Sequence, residues 1–391
     1  MRVVIKLLVL CLLGCAGISA QEKPIGKGEK TLVRSVSEEP DNVKAATPRK
    51  DHTEGLAKKA VEEEPIEKPA LGIPTDRDEV VRLQIFLDQK RFGPGFIDGK
   101  PGMFTKLAII NYNASLGRKK GDLRVFEEYP KGVTQAYATA IIPKSVGDYV
   151  DSSLPRKRSL QAERKSMPYR SVTEFMAERY HTSEDLLIEI NGAKVMRNAK
   201  ARAAIKVPNI EPFKIEDLKV GKSHKHDETL SARHLVIDTG VKQIYIYQLM
   251  LPTAPSDQKA SPDQEGEQAV KVTVAKPVLI ASFPITPGKT RFIPKGFWNL
   301  KNSVELPEWR YDKKLLETGV RGKEYLTIPP GPNNPVGIIW NGLTKSGIGL
   351  HGTNNPKTIG RARSAGCIRI ANWDAARIPL LVRPGAVVLV K

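Results

Sequence analysis

Of the three cysteines in this 391-residue chain, Cys11, Cys15 and Cys367, only Cys367 stands among residues that could make a thiol react. The stretch GIGLHGTNNPKTIGRARSAGCIRIANWDA, Gly347 to Ala375, places His351 sixteen positions before it. A thiol has a reference pKa of about 8.5 and is mostly protonated at neutral pH. A neighbouring imidazole can take that proton and generate the nucleophile. The imidazolium can later protonate a departing amine. Ala365, Gly366 and Cys367 offer backbone N–H groups beside the sulfur, and glycine permits the tight backbone such an arrangement needs. Amides aimed at a developing oxyanion are commonly worth ~3 kcal/mol each. Ser364 is placed to orient this loop or to hydrogen-bond near the histidine. Arg369 can attract a carboxylate or help hold the thiolate.

Spacing in sequence does not bring a thiol and an imidazole together; two strands joined by a long loop would. The surrounding sequence is strand-rich. HLVID (His234 to Asp238) and QIYIYQL (Gln243 to Leu249) alternate as strands do and flank a Thr-Gly turn, which predicts a hairpin. Residues 250–268 are polar and read as a loop or insertion. Strand character resumes in VKVTVAKPVLIASFPI, Val270 to Ile285, and AVVLVK closes the chain. Helical periodicity is confined to Asn372 to Val382. The expectation for 230–391 is a mainly β domain, a sandwich or open barrel.

The order HGT, loop, SxGCIR resembles the signature of the L,D-transpeptidase (YkuD-type) catalytic domain. Upstream, ITPGKTRFIPKGFW (Ile285 to Trp298), with Pro294, Gly296 and Phe297, is similar to that family's strand and turn, and IPPGPNNPVG (Ile328 to Gly337) to its loop. The resemblance implies Cys367 as acyl-accepting nucleophile and His351 as general base. Gly352, Ser364, Gly366 and Arg369 then occupy signature positions, with Gly352, Thr353 and Ala365 on the substrate side. It implies no metal and no cofactor. The family usually has His where this chain has Ala365, which puts loop geometry and rate in question. The implied reaction is attack on the L-centre third residue of a peptidoglycan tetrapeptide stem, departure of D-Ala, and capture of the thioester by another stem's amine in a 3→3 crosslink. Water or a lipoprotein lysine as acceptor would give a carboxypeptidase or a protein-anchoring enzyme. A wall-binding scaffold with a decayed site is the alternative from another class, and the retained Cys–His pair argues against it. A papain-like protease would place its cysteine before its histidine, the reverse of the order here.

Residues 1–20 read as a signal peptide: Arg2 and Lys6, an apolar run from Val3 to Leu13 too short to span a bilayer comfortably, and the small-residue site Ile18-Ser19-Ala20. Leu12-Leu13-Gly14-Cys15 loosely resembles a lipobox, which would instead tether the protein through Cys15. Either route predicts export to the periplasm or cell envelope. Removal of the leader leaves Cys367 as the only thiol, a liability in an oxidising compartment unless it works. Residues 21–74, rich in Lys, Glu, Pro and Ser, read as a disordered tether.

From 75 to 120, two amphipathic stretches flank the Gly/Pro turn GPGFIDGKPG. Leu83-Gln84, Ile97-Asp98-Gly99, Gly102 and Thr105 resemble the small three-helix peptidoglycan-binding domain, some members of which act as spacers. Residues 121–165 are basic and mixed, and read as a linker of unknown role. From 166 to 210, YRSVTEFMAERYHTSEDLLIEIN and the closing IKVPN resemble a LysM module, a binder of N-acetylglucosamine-containing glycans, without the usual Gly-Asp turn before its first helix.

The formal charge is +19; without Arg2 and Lys6, 60 basic and 43 acidic residues leave +17. Such a protein is drawn to anionic polymers and lipids. No nucleic-acid motif is present. His52, His181, His224, His226 and His234 read as structural, with the His224-Lys225-His226 pair able to take a stray metal. Trp298, Trp309 and Trp340 fit either a substrate groove or the core.

Overall fold

The computed structural model describes residues 72–250, 276–288, 293, 295–345, 347–361 and 367–391. The expected leader and the tether through residue 71 lie outside them. Among the described residues no helix is long and apolar enough to cross a membrane.

The described residues open with three helices, α1 (Arg77–Gln89), α2 (Met103–Ser115) and α3 (Val125–Gly132). Asp76 starts α1 by accepting a hydrogen bond from the Glu79 N–H at 2.9 Å. Apolar residues at helical spacing, Val80, Val81, Leu83 and Leu87, are fully buried with Ile97 and Ile109. Gln84 is buried among them because its amide has work there. Its carbonyl accepts from the Asp98 and Gly99 N–H groups at 2.9 Å each, fixing the turn between α1 and α2.

Strand β1 (Tyr137–Ile141) follows, then α4 (Val146–Tyr149), α5 (Arg158–Ala162), α6 (Val172–Arg179), α7 (Glu184–Asn191), α8 (Ala193–Arg197) and β2 (Ala204–Pro208). β1 and β2 pair antiparallel, Tyr137 opposite Pro208 and Ile141 opposite Ala204. Ser171 and Ser183 cap α6 and α7. The unit is thus two paired strands enclosing α6, α7 and α8, with α4 and α5 inserted after its first strand. That strand lies well before residue 166, and the stretch 121–165, expected as a linker, instead holds α3, β1, α4 and α5.

The C-terminal region contains β3 (Ser223–His224), α9 (Glu228–Ser231), β4 (His234–Asp238), β5 (Gln243–Met250), β6 (Lys276–Pro284), β7 (Gly296–Glu305), β8 (Trp309–Tyr311), α10 (Lys313–Thr318), β9 (Leu326–Ile328), β10 (Ile339–Leu343), β11 (Gly349–His351), β12 (Ile368–Arg369), α11 (Asn372–Leu381) and β13 (Val387–Val390). The main sheet runs β12-β11-β10-β7-β13-β4-β5-β6, with β3 also on β7. β4 and β5 form the expected hairpin, and β13 lies parallel to β4. The sheet curls until its ends meet. Thr286, just past β6, exchanges both backbone hydrogen bonds with Arg369 on β12, at 2.8 and 2.9 Å. The domain is mainly β, as expected, and barrel-like in its closure.

These parts share cores and backbone hydrogen bonds. At the first seam, the Ser282 N–H donates to Arg91 O (3.0 Å), the Gly93 N–H donates to Ser282 O (2.8 Å), and the Asn111 amide donates to Ser282 Oγ (2.9 Å). Leu279 on β6 is buried with Phe92 and Tyr112. At the second, the Met167 N–H donates to Pro330 O (2.8 Å), and the Asn333 N–H donates to Met167 O (2.9 Å). Gly331 has φ +140°, and a Cβ there would lie 2.4 Å from Met167 O, so only glycine lets the two backbones approach this closely.

A buried carboxyl sits at the second seam. Glu178 on α6 accepts from the Tyr169 hydroxyl at 2.7 Å and from the Asn372 amide at 2.9 Å. Burial pushes it up to about 8, against the lowering effect of these two hydrogen bonds. A carboxyl raised in the folded state stabilises the fold below its unfolded pKa and loses that contribution as pH rises through the folded one. The melting temperature is therefore expected to fall between pH 5 and 9, reflecting on the order of a few kcal/mol. Glu178→Gln is expected to flatten that slope; calorimetry at matched ionic strength would show it, and an unaltered slope would contradict it.

Candidate active site

Strands β10, β11 and β12 lie side by side near one end of the sheet path. β11 and β12 are parallel, with Leu350 opposite Ile368 and His351 opposite Arg369. Side chains alternate between faces along a strand. Leu350 and Ile368 therefore point one way, into the core, where both are almost fully buried. His351, Arg369 and Cys367 share the other face. On that face Cys367 and His351 are diagonal neighbours on adjacent strands, a relationship within reach of long side chains. Trp340 on β10 is the cross-strand partner of His351, and the rings stack with centroids 5.6 Å apart and planes 17° apart.

The three residues line one cavity of about 1020 Å³. Its walls come from Val304 on β7, Trp340, Val336, the Leu306–Asp312 turn with β8, one side of α10, and Val220–Gly221 just before β3. Sequence reasoning singled out neither α10 nor the 220–221 segment, since neither carries a chemical signature. Trp309 and Trp340 line the cavity; Trp298 is not among its lining residues.

The electrostatics of the pair are set mainly by burial. His351 is lowered to about 4, first by desolvation, with the Arg369 cation adding to it and the Gly352 and Val336 carbonyls opposing it. The Cys367 thiol is pushed up to about 11 by desolvation, against a backbone hydrogen bond at Gly349. At neutral pH both groups are therefore uncharged. The imidazole Nδ1 lies 2.6 Å from the Gly352 carbonyl oxygen. A carbonyl only accepts, so Nδ1 carries the proton of the neutral ring and Nε2 keeps its lone pair. Sγ of Cys367 lies 3.5 Å from Gly347 O. The Arg369 Nε is buried without a hydrogen-bond partner among the described residues.

The turn after β11 is tightly held. Asn372, at the start of α11, accepts at Oδ1 from the Thr353 N–H (3.0 Å) and from the Ile338 N–H (3.4 Å). Its amide nitrogen donates to Glu178. A Cβ on Gly352 or on Gly337 would lie 2.2 Å from Asn372 Oδ1, so both positions admit only glycine. Gly352 and Thr353 thus form the backbone that holds the imidazole. Ser364, Ala365 and Gly366 lie outside the described residues.

Among the described residues no group of three or more His, Cys, Asp or Glu side chains is arranged to hold a metal. His224 of the His224-Lys225-His226 pair is buried between Arg383 and Glu305. His181 is buried against Asp88 and stacks on Trp373. His52 lies outside the described residues.

Residues 265–390 match the family model of YkuD, the L,D-transpeptidase catalytic domain. Among curated proteins, the candidate L,D-transpeptidase YkuD of Bacillus licheniformis is 42% identical over 74 residues, 18% of this chain and 44% of that protein. The candidate L,D-transpeptidase YqjB of Bacillus subtilis is 30% identical over 114 residues, 28% of this chain and 57% of that protein. The chain spans less than two thirds of the length of either relative. Among solved structures, L,D-transpeptidase 3 of Mycobacterium tuberculosis is similar at 12% identity, over 50% of this chain and 76% of that one, with a TM-score of 0.26. The Enterococcus faecium L,D-transpeptidase is similar at 15% identity, over 41% and 50%, with a TM-score of 0.25. Residues 265–390 of this chain carry an L,D-transpeptidase catalytic domain of the YkuD family.

Proposed function

We propose that this protein is a cysteine L,D-transpeptidase of the cell envelope that forms 3→3 crosslinks between peptidoglycan stems, with Cys367 as nucleophile and His351 as base. The observation that carries this reading is the shared face of β11 and β12: thiol, imidazole and guanidinium open into one cavity, with the imidazole's Nδ1–H committed to Gly352 O. Nε2 of His351 takes the thiol proton as sulfur attacks the carbonyl of the stem's third residue. The tetrahedral intermediate collapses, its C–N bond breaks, and the imidazolium gives that proton to the departing D-Ala amine, leaving a thioester. The side-chain amine of a second stem attacks the thioester, passes a proton to His351, and the thiol is released. Starting from a neutral pair, the enzyme makes thiolate only as it reacts, which limits oxidation of an exported thiol. Arg369, with its Nε unpartnered among the described residues, is suited to hold a substrate carboxylate or the developing oxyanion.

The N-terminal helical unit and the unit of β1, β2 and the helices between them serve on this reading as peptidoglycan-binding and LysM-like modules that keep the domain on its insoluble polymer and raise the local substrate concentration. Export through the N-terminal leader completes the proposal.

The test is incubation with disaccharide tetrapeptide muropeptides, followed by mass analysis. Release of D-Ala with 3→3 dimers is expected, and neither from Cys367→Ser. Tripeptide without dimers would replace crosslinking by L,D-carboxypeptidase activity, and unchanged stems with folded protein would leave a scaffold.

A further inference from the structure

We propose that Glu178, on α6 of the LysM-like unit, is a positioning residue for the base: acting through Asn372, it holds the Gly352 carbonyl where it orients the His351 imidazole. The proposal rests on the reading of Cys367 and His351 given above and adds to it a residue from outside the catalytic domain.

The chain of contacts is continuous. Glu178 accepts from the Asn372 amide nitrogen with both oxygens, at 3.1 and 2.9 Å. The Thr353 N–H can only donate, so it requires Oδ1 of Asn372, at 3.0 Å, which leaves the amide nitrogen to face Glu178. Thr353 directly follows Gly352, whose carbonyl takes the imidazole Nδ1–H at 2.6 Å. Tight packing closes the path: Asn372 Oδ1 occupies the space where a Gly352 side chain would begin. Every member is buried, including Glu178, Asn372, Thr353 and His351. No water-exposed alternative competes for these hydrogen bonds. Tyr169 fixes the far side of Glu178 by donating its hydroxyl at 2.7 Å.

A buried carboxyl with two neutral partners and no cation in hydrogen-bonding contact is a costly way to fill a seam between modules. It is economical if the aim is to fix an amide that itself fixes a catalytic turn. A small misplacement of the base is enough to cost up to about 100-fold in rate. The arrangement also makes a full-rate site depend on the LysM-like unit being folded and docked.

The experiment uses the full chain. Acylation by a carbapenem is followed by intact mass to separate the maximal rate from the half-saturating concentration, and the His351 Nδ1–H is followed by proton NMR with 15N-histidine labelling. Glu178→Met, which keeps the volume and removes the acceptor, is expected to lower the maximal rate by about 10- to 100-fold. The half-saturating concentration should change little, and the hydrogen-bonded Nδ1–H resonance should shift upfield or broaden away. Glu178→Gln keeps a carbonyl oxygen to accept from Asn372 and from the Tyr169 hydroxyl, and is expected to retain the wild-type rate and resonance. In an Asn372→Ala background, Glu178→Met should add nothing further. A folded Glu178→Met with unchanged rate and resonance overturns the proposal, as does a Glu178→Gln that loses as much. If Glu178→Met does not fold, the Asn372→Ala variant with a normal resonance overturns it. Wild-type protein that resists acylation while showing the resonance would instead overturn the reading of Cys367, and the NMR comparison would still decide the role of Glu178.

Discussion

His351→Ala is expected to slow acylation of Cys367 by about 10²- to 10⁴-fold at pH 7 and to change how the rate depends on pH. On the proposed mechanism the reactive form of the wild type is the neutral imidazole beside the neutral thiol. Burial lowers His351 to about 4 and raises Cys367 to about 11. The rate should therefore have an acid limb near pH 4 and stay flat until near the thiol's own titration. Without the imidazole, only thiolate already present can attack. The variant's rate should climb about tenfold per pH unit toward the thiol pKa, so the gap between the two proteins closes as pH rises. Rate constants for carbapenem acylation between pH 4.5 and 9.5 would check this. A wild-type rate that rises steadily with pH, or a variant that is flat and fast, would contradict it.

Gly337→Ala is expected to be the most destabilising glycine substitution near the site. Gly337 has φ +62°, and its Cβ would meet Asn372 Oδ1 at 2.2 Å and the Gly352 carbonyl carbon at 2.5 Å. The left-handed backbone costs an L-residue roughly 1–2 kcal/mol. Overpacking a rigid seam adds typically 1–3 kcal/mol. Together these give a loss of about 2–5 kcal/mol and a drop in melting temperature of several degrees. The backbone that moves is the one holding His351, so acylation should fall as well. Gly117→Ala is the control: its φ is +69°, yet a Cβ there meets nothing within 4 Å, so only the conformational cost remains. Thermal melts of the two variants side by side would separate the terms, and equal melting temperatures would contradict the steric account.

The candidate site was legible in sequence because its residues are local. HGT and SAGCIR name the thiol, the imidazole and the arginine, and strand alternation then puts them on one face. The hairpin of β4 and β5 was legible for the same reason, since alternating Leu235, Ile237, Ile244 and Ile246 and a four-residue turn are adjacent in the chain. What escaped depends on distant partners. Glu178 and Asn372 are 194 positions apart, and nothing in either neighbourhood announces the other. β1 is five residues long, with only Ala140 buried, and separated from β2 by an insertion, so Tyr137 to Ile141 carries too weak a pattern to show as a strand. The seams that turn three expected modules into neighbours sharing cores rest on backbone contacts between distant segments, such as Met167 with Pro330, where Gly331 clears the space without naming its partner.

On the proposed mechanism a single sulfur accepts the acyl group. Its most direct test is the intact mass of purified protein after incubation with a carbapenem. One covalent adduct per chain is expected on the wild type and none on Cys367→Ser. A folded wild type that gains no mass, or an adduct that persists when Cys367 is replaced, would contradict it.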